Sequence, residues 1–303
     1  MELYKSDNGI NPIGAVLTLV LAIVGGAVLG LIVYFVSQFI YLICIFPFLI
    51  GGIFGYLLTL GVDLGKVRSG VYVAIAGIIG ALVFLAASRY PTYAIDFKSD
   101  VRDELEDFAG AGVEVTDEEV NEFADFILEA ETGATGYWGF LQLEAKEGIS
   151  IGRRSTDLMT LDGTMAWVYW AIDFLIIAGF GIILGVGRTD EPYSTLAKEW
   201  YRQDGFIGTL PMGEFPEFMR SLTESRYEDA GQKLSGERQA PTPKIDVYTM
   251  RSSDPTDNVI LAFKEVTVDN KGNLKTDTNN NYGVITESDL RRLGGSAEAG
   301  QSF

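Results

Sequence analysis

NGINPIGAVLTLVLAIVGGAVLGLIVYFVSQFIYLICIFPFLIGGIFGYLLTLGV, the stretch Asn8–Val62, contains no charged side chain. A helix needs ~20 predominantly apolar residues to cross the hydrocarbon core of a bilayer, so this run is long enough for two crossings. We place them at about 13–37 and 41–62, joined by a tight hairpin around Gln38. The apolar blocks Ser69–Ser88 and Gly163–Gly187 suit one crossing each, with Arg89, Tyr90 and Pro91 closing the third. A secretory signal peptide fits the N-terminal run poorly, because the run far exceeds a signal core and Lys5 is the only early cation. The pattern predicts a mostly α-helical polytopic membrane protein with four transmembrane helices.

The rest of the chain reads as soluble. Residues 1–90 hold three crossings, 91–163 a small acidic helical segment, and 164–188 the fourth crossing. A helical segment over 189–240, a small β-hairpin and α region over 241–293 and a disordered tail over 294–303 make up a C-terminal α+β region. Thr116 with Glu119 is the capping-box spacing and predicts a helix over Asp117–Glu131. Glu191–Gln203 and Phe215–Leu234 are read as helical, and Asp269–Asn273 as a hairpin turn.

The net charge of −18 is unevenly spread: residues 91–163 carry 18 acidic and 5 basic side chains. That field disfavours nucleic acid as a partner. The chain has no histidine and one cysteine, Cys44. Histidine-based acid–base or triad chemistry, Cys/His zinc sites and disulfides within one chain are therefore excluded. We expect no catalytic residue, no cofactor and no metal. The run Asp277–Asp289 has oxygen-bearing side chains on alternate residues, like a calcium loop, but Tyr282 is inserted before the glycine and Asp289 stands where glutamate is usual.

Two sets of residues stand out within the crossings. Gly26 with Gly30, and Gly51 with Gly55, are four apart, and such spacing lets helix backbones approach closely in lipid. We read them as packing the helices of one chain together. Asp173 is the only acidic or basic side chain inside a crossing. It lies about 9 Å along its helix from Trp167, with about 21 Å of helix between it and Arg188. An ionised carboxylate there costs ~2.5–3.5 kcal/mol unless paired. Arg89, Arg153 and Arg154 lie on the same side and could reach it.

Pro47–Gly52 followed by Leu64–Arg68, together with Gly136–Arg153 and the Trp-rich start of the fourth crossing, resembles a bacterial family of multi-pass membrane proteins of unknown function. The resemblance covers residues 10–190 and implies no catalytic residues. It places the chain in a bacterial cell membrane. Lys66 and Arg68, in a short loop, favour cytoplasmic N- and C-termini. We expect a non-enzymatic membrane anchor or scaffold, in contact with bilayer lipid and with protein partners or further copies of itself. The alternative is a subunit of a small transporter or channel that uses Asp173.

Overall fold

The computed structural model describes residues 1–37, 45–110, 115–153, 156–236 and 242–294, without the side chains of 45, 149–153, 156–161 and 278–280. Cys44 and the hairpin turn at Gln38 lie outside the described residues, as does the tail beyond 294. The chain forms two compact units, Ile10–Thr189 and Met1–Gly9 with Asp190–Phe303. A short strand, β1 (Glu2–Leu3), opens the chain and belongs to the second unit.

The first unit is built on four helices long and apolar enough to cross a membrane. They are α1 (Pro12–Ser37), α2 (Ile45–Gly65), α3 (Gly70–Pro91) and, later in the chain, a 26-residue helix from Thr164. The buried residues of α1 are Gly14, Thr18, Ala22, Gly26, Leu29, Gly30 and Tyr34, so a four-residue stripe of mostly small side chains faces its neighbours. That stripe packs on α3, whose own buried set includes Ala76, Gly77, Gly80 and Ala81. Thr18 ties α1 to α2, its hydroxyl donating to Gly14 O and Gly61 O at 2.9 Å each.

Two boundaries differ from the sequence expectation. Helix α2 runs on to Gly65, so Asp63 sits in its last turn rather than in a loop. Helix α3 does not stop at Pro91. Proline removes one backbone donor and crowds the preceding turn, and the chain widens into a π-helical turn over Thr92–Phe97 before continuing as α4 (Lys98–Ala109). The wider turn places Asp96 to accept from the Tyr34 hydroxyl at 2.9 Å.

Helices α5 (Asp117–Thr132) and α6 (Gly136–Glu147) complete the acidic segment. Thr116 and Glu119 form the reciprocal capping box, and Gly133 ends α5 in the left-handed region at φ 76°. Arg102 pairs with Asp117 and donates to Val115 O at 2.7 Å, holding α4 to the start of α5. The acidic segment is not helical throughout, because an antiparallel hairpin forms from β2 (Ile149–Arg153) and β3 (Thr156–Leu161). The fourth long helix, α7 (Thr164–Thr189), follows.

In the second unit, β4 (Tyr193–Ser194) and β5 (Glu199–Trp200) pair with each other, so the helix expected over Glu191–Gln203 is absent. Next come β6 (Arg202–Pro211), α8 (Phe215–Thr223), α9 (Tyr227–Gly231), β7 (Lys244–Arg251), β8 (Val259–Val268), β9 (Leu274–Ile285) and α10 (Glu287–Gly294). The five-stranded antiparallel sheet has the order β1-β9-β8-β7-β6. Strands β7 and β8 fall where Ile245–Arg251 and Val259–Val268 have strand character, and the sheet exceeds the expected small hairpin region by β6 and the N-terminal strand. One core packs Phe218, Leu222 and Leu293 against Leu210, Ile245, Leu261 and Phe263. The turn at Asp269–Asn273 closes β8 onto β9, with Asp269 N donating to Asn273 O at 2.9 Å. Because β9 runs through residues 274–285, successive side chains point to opposite faces. The loop a calcium ion would need is not formed.

Candidate functional site

Charge is scarce in the helical bundle, and an ion pair lies at each end. At one end Asp63, in the last turn of α2, accepts from Arg188 Nε of α7 at 2.5 Å. At the other end, three helices converge on Arg89, in the last turn of α3. Its guanidinium donates to Glu144 Oε1 of α6 at 2.6 Å, with the two side chains only 19% and 23% exposed. The guanidinium also lies 4.2 Å from the ring centre of Trp170 on α7, a cation–π contact.

Asp173 lies one turn beyond Trp170. It is half-buried, hydrogen-bonded to Tyr169, and Arg89 is the cation that acts on it. Arg89 therefore pairs directly with Glu144 and acts on Asp173 through its charge. Glu144 Oε2 and Trp170 Nε1 are buried without a hydrogen-bond partner among the described residues. Burial pushes the Glu144 carboxyl above its ordinary value of 4.5, and the nearby Arg89 charge and hydrogen bond oppose that rise. Tyr137, on the same helix, is pushed up to about 12 by burial, with Arg89 pulling it down and Glu144 pushing it up. It stays a neutral hydroxyl and donates to Ala86 O at 3.2 Å, a second tie between α6 and α3.

Of the three arginines considered for Asp173, the structure brings Arg89 near. Arg154 and the side chain of Arg153 lie outside the described residues. Glu144, the direct partner of Arg89, went unread in the sequence. Its signal was an acidic residue one turn after Phe140, on the stripe that also holds Leu141 and Leu143.

The glycines have close neighbours within the chain. A Cβ on Gly26 would collide with the Gly80 carbonyl oxygen of α3, and one on Gly30 would lie 2.6 Å from Phe84 O. On α2, a Cβ at Gly55 would come within 2.9 Å of Phe180 O, and one at Gly51 within 3.1 Å of Phe180 Cβ, both on α7.

The second unit has one dense polar network. Asp257 accepts from Ser194 Oγ at 2.5 Å, Ser252 Oγ at 3.0 Å and Asn258 N at 2.8 Å, and bonds Tyr201 as well. Burial pushes its carboxyl up, but these donors outweigh that and hold it below the ordinary value. So saturated a carboxylate staples the β4–β5 segment to the loop before β8 and has little spare basicity for catalysis. Among the described residues, no group of three or more His, Cys, Asp or Glu side chains could hold a metal ion.

Comparison with protein-family models, with curated proteins and with solved structures gives no match.

Proposed function

We propose that the protein is an integral membrane anchor whose four long helices cross a bilayer and carry two extramembranous parts, the acidic α4–α6 segment and the C-terminal α/β unit. The observation that carries this reading is the apolar outer surface of the bundle. Glycine and alanine are frequent on the inward faces beside buried Phe54, Leu58 and Ile177, while many large apolar side chains face outward: eleven on α1, five each on α2 and α3, and seven on α7 are more than a third exposed. Water-soluble monomers rarely expose apolar surface on that scale, whereas lipid covers it at no cost.

Two further facts agree. Helix α3 and its continuation form a 40-residue span, about 60 Å at ~1.5 Å per residue, twice the ~30 Å hydrocarbon core. Its second half therefore projects from the membrane, and it carries the acidic segment there. In addition, Met1–Gly9 and Asp190–Phe303 share one unit, so the chain must cross an even number of times between them. Four crossings satisfy that.

On this reading the Arg89–Glu144 pair docks the acidic segment on the bundle, and the exposed acidic surface contacts protein partners in a bacterial cell membrane, with both termini cytoplasmic. A second reading, a conducting role for Asp173, is favoured by the surplus of carboxylate over guanidinium in the cluster. Reporter fusions after Arg68 and Arg188 are expected to report the cytoplasm and a fusion at Gly133 the exterior. Fusions at Gly133 and Arg188 reporting the same side would remove the fourth crossing. Ion flux through liposomes holding the purified protein, abolished by Asp173→Leu, would select the second reading.

A further inference from the structure

Where α6 meets the start of α7, the surface opens into a groove of about 810 Å³. Its walls include Trp138 and Lys146 of α6, Asp162 just before α7, and Met165 and Trp167 in the first turns of α7. The two indoles are 5.6 Å apart, and Trp167 continues to Trp170 at 4.8 Å, so an aromatic path joins the groove to Arg89. The walls are held in place. Gly163 N donates to Ala145 O at 2.6 Å, and the Gln142 amide, oriented to satisfy both its ends, accepts from Trp138 Nε1 at 2.6 Å. Yet Trp138 keeps 56% and Trp167 38% of its surface exposed.

Charge in the groove is balanced. Lys146 bonds the Glu131 carboxylate at 2.6 Å and its carbonyl at 3.3 Å, which leaves the third ammonium hydrogen available. The Asp162 carboxylate has no ion-pair partner among the described residues. If α7 crosses the bilayer, its 26 residues span about 39 Å, more than the ~30 Å core. Its first turns, and the groove with them, then lie at headgroup depth, where tryptophan is favoured.

We propose that this groove binds the headgroup of a zwitterionic glycerophospholipid. The phosphate meets Lys146, and the ammonium meets Asp162 and the indole faces, which attract cations. Anionic headgroups are disfavoured by the 18 acidic side chains of residues 91–163, Asp162 among them. This inference rests on the membrane reading above, and its test separates the two.

Full-length protein in mild detergent is titrated with equal amounts of phosphatidylethanolamine and phosphatidylglycerol, and retained lipid is counted by native mass spectrometry. Wild type is expected to retain the zwitterionic lipid in preference by about fivefold or more, a difference of ~1 kcal/mol. Asp162→Lys should invert that preference. Glu147→Lys, the same charge change at an exposed neighbour outside the groove, should leave it in place. Equal retention by wild type, or the same preference in Asp162→Lys, overturns the proposal. Equally tight binding of water-soluble glycerophosphoethanolamine overturns the lipid as occupant. Release of the protein from membranes by alkaline carbonate would instead sink the membrane reading itself. Firm retention in membranes with no lipid preference sinks only the headgroup site.

Discussion

Removing the Arg89 guanidinium should undock α6 from the bundle. At 2.6 Å, with both side chains four-fifths buried, the Arg89–Glu144 pair is a desolvated ion pair. Breaking such a pair from one side costs ~3–5 kcal/mol, because the charge left behind has lost its water as well as its partner. Arg89→Met leaves both Glu144 and Asp173 without their cation and also loses the contact with Trp170, so it belongs at the upper end. Glu144→Gln keeps an acceptor for the guanidinium and removes a carboxylate that burial disfavours, so it should cost far less than Arg89→Met. The double variant replaces the charged pair by a neutral one and should recover part of the loss. Hydrogen exchange of the α6 amides in detergent reads this directly. At ~1.4 kcal/mol per decade, Arg89→Met should speed their exchange by about two to three and a half orders of magnitude. Unchanged α6 exchange in Arg89→Met, or strictly additive effects in the double variant, would refute the docking role of the pair.

Packing of the small-residue stripes predicts contrasting glycine variants. Gly26→Leu, set against the Gly80 carbonyl, should lower the detergent melting temperature of the bundle through overpacking of ~1–3 kcal/mol or more. Gly52→Leu, which meets nothing within 4 Å, should leave it unchanged, and equal melting of both variants would mean the stripe is not an interface. The Glu144 carboxyl, raised above 4.5 in the folded state, predicts a pH slope. A raised carboxyl favours the folded state most below its unfolded value. The docking of α6 should therefore weaken as pH climbs from 4.5 through the folded-state titration, by at most ~1.4 kcal/mol per unit. Glu144→Gln should flatten the slope, and an identical slope in that variant would assign the titration to another group.

What the sequence revealed and what it hid divide along a physical line. The long helices were legible because a run of ~20 apolar residues has few other uses. The fourth begins at Thr164 and the first at Pro12, each within a residue of the expectation. The start of α5 was legible because Thr116 and Glu119 carry their capping chemistry locally. Strand β6 was not legible, because its state is set by pairing with β7 some forty residues away, as in Thr209 opposite Asp246. Arg89 and Glu144, 55 residues apart, met only once α3 and α6 had been placed. No periodicity announces an ion pair across that distance.

Strand β1 bears on how the protein is made. Leu3 pairs with Gly283, 280 positions later, and Tyr4 N donates to Tyr282 O at 2.8 Å. At ~5–20 residues per second, the ribosome takes roughly 15–60 s to deliver the partner strand after the first one emerges. During that interval all four long helices are synthesised, while the opening residues wait unpaired. This edge of the sheet can thus close only after the four long helices between its two strands have been made.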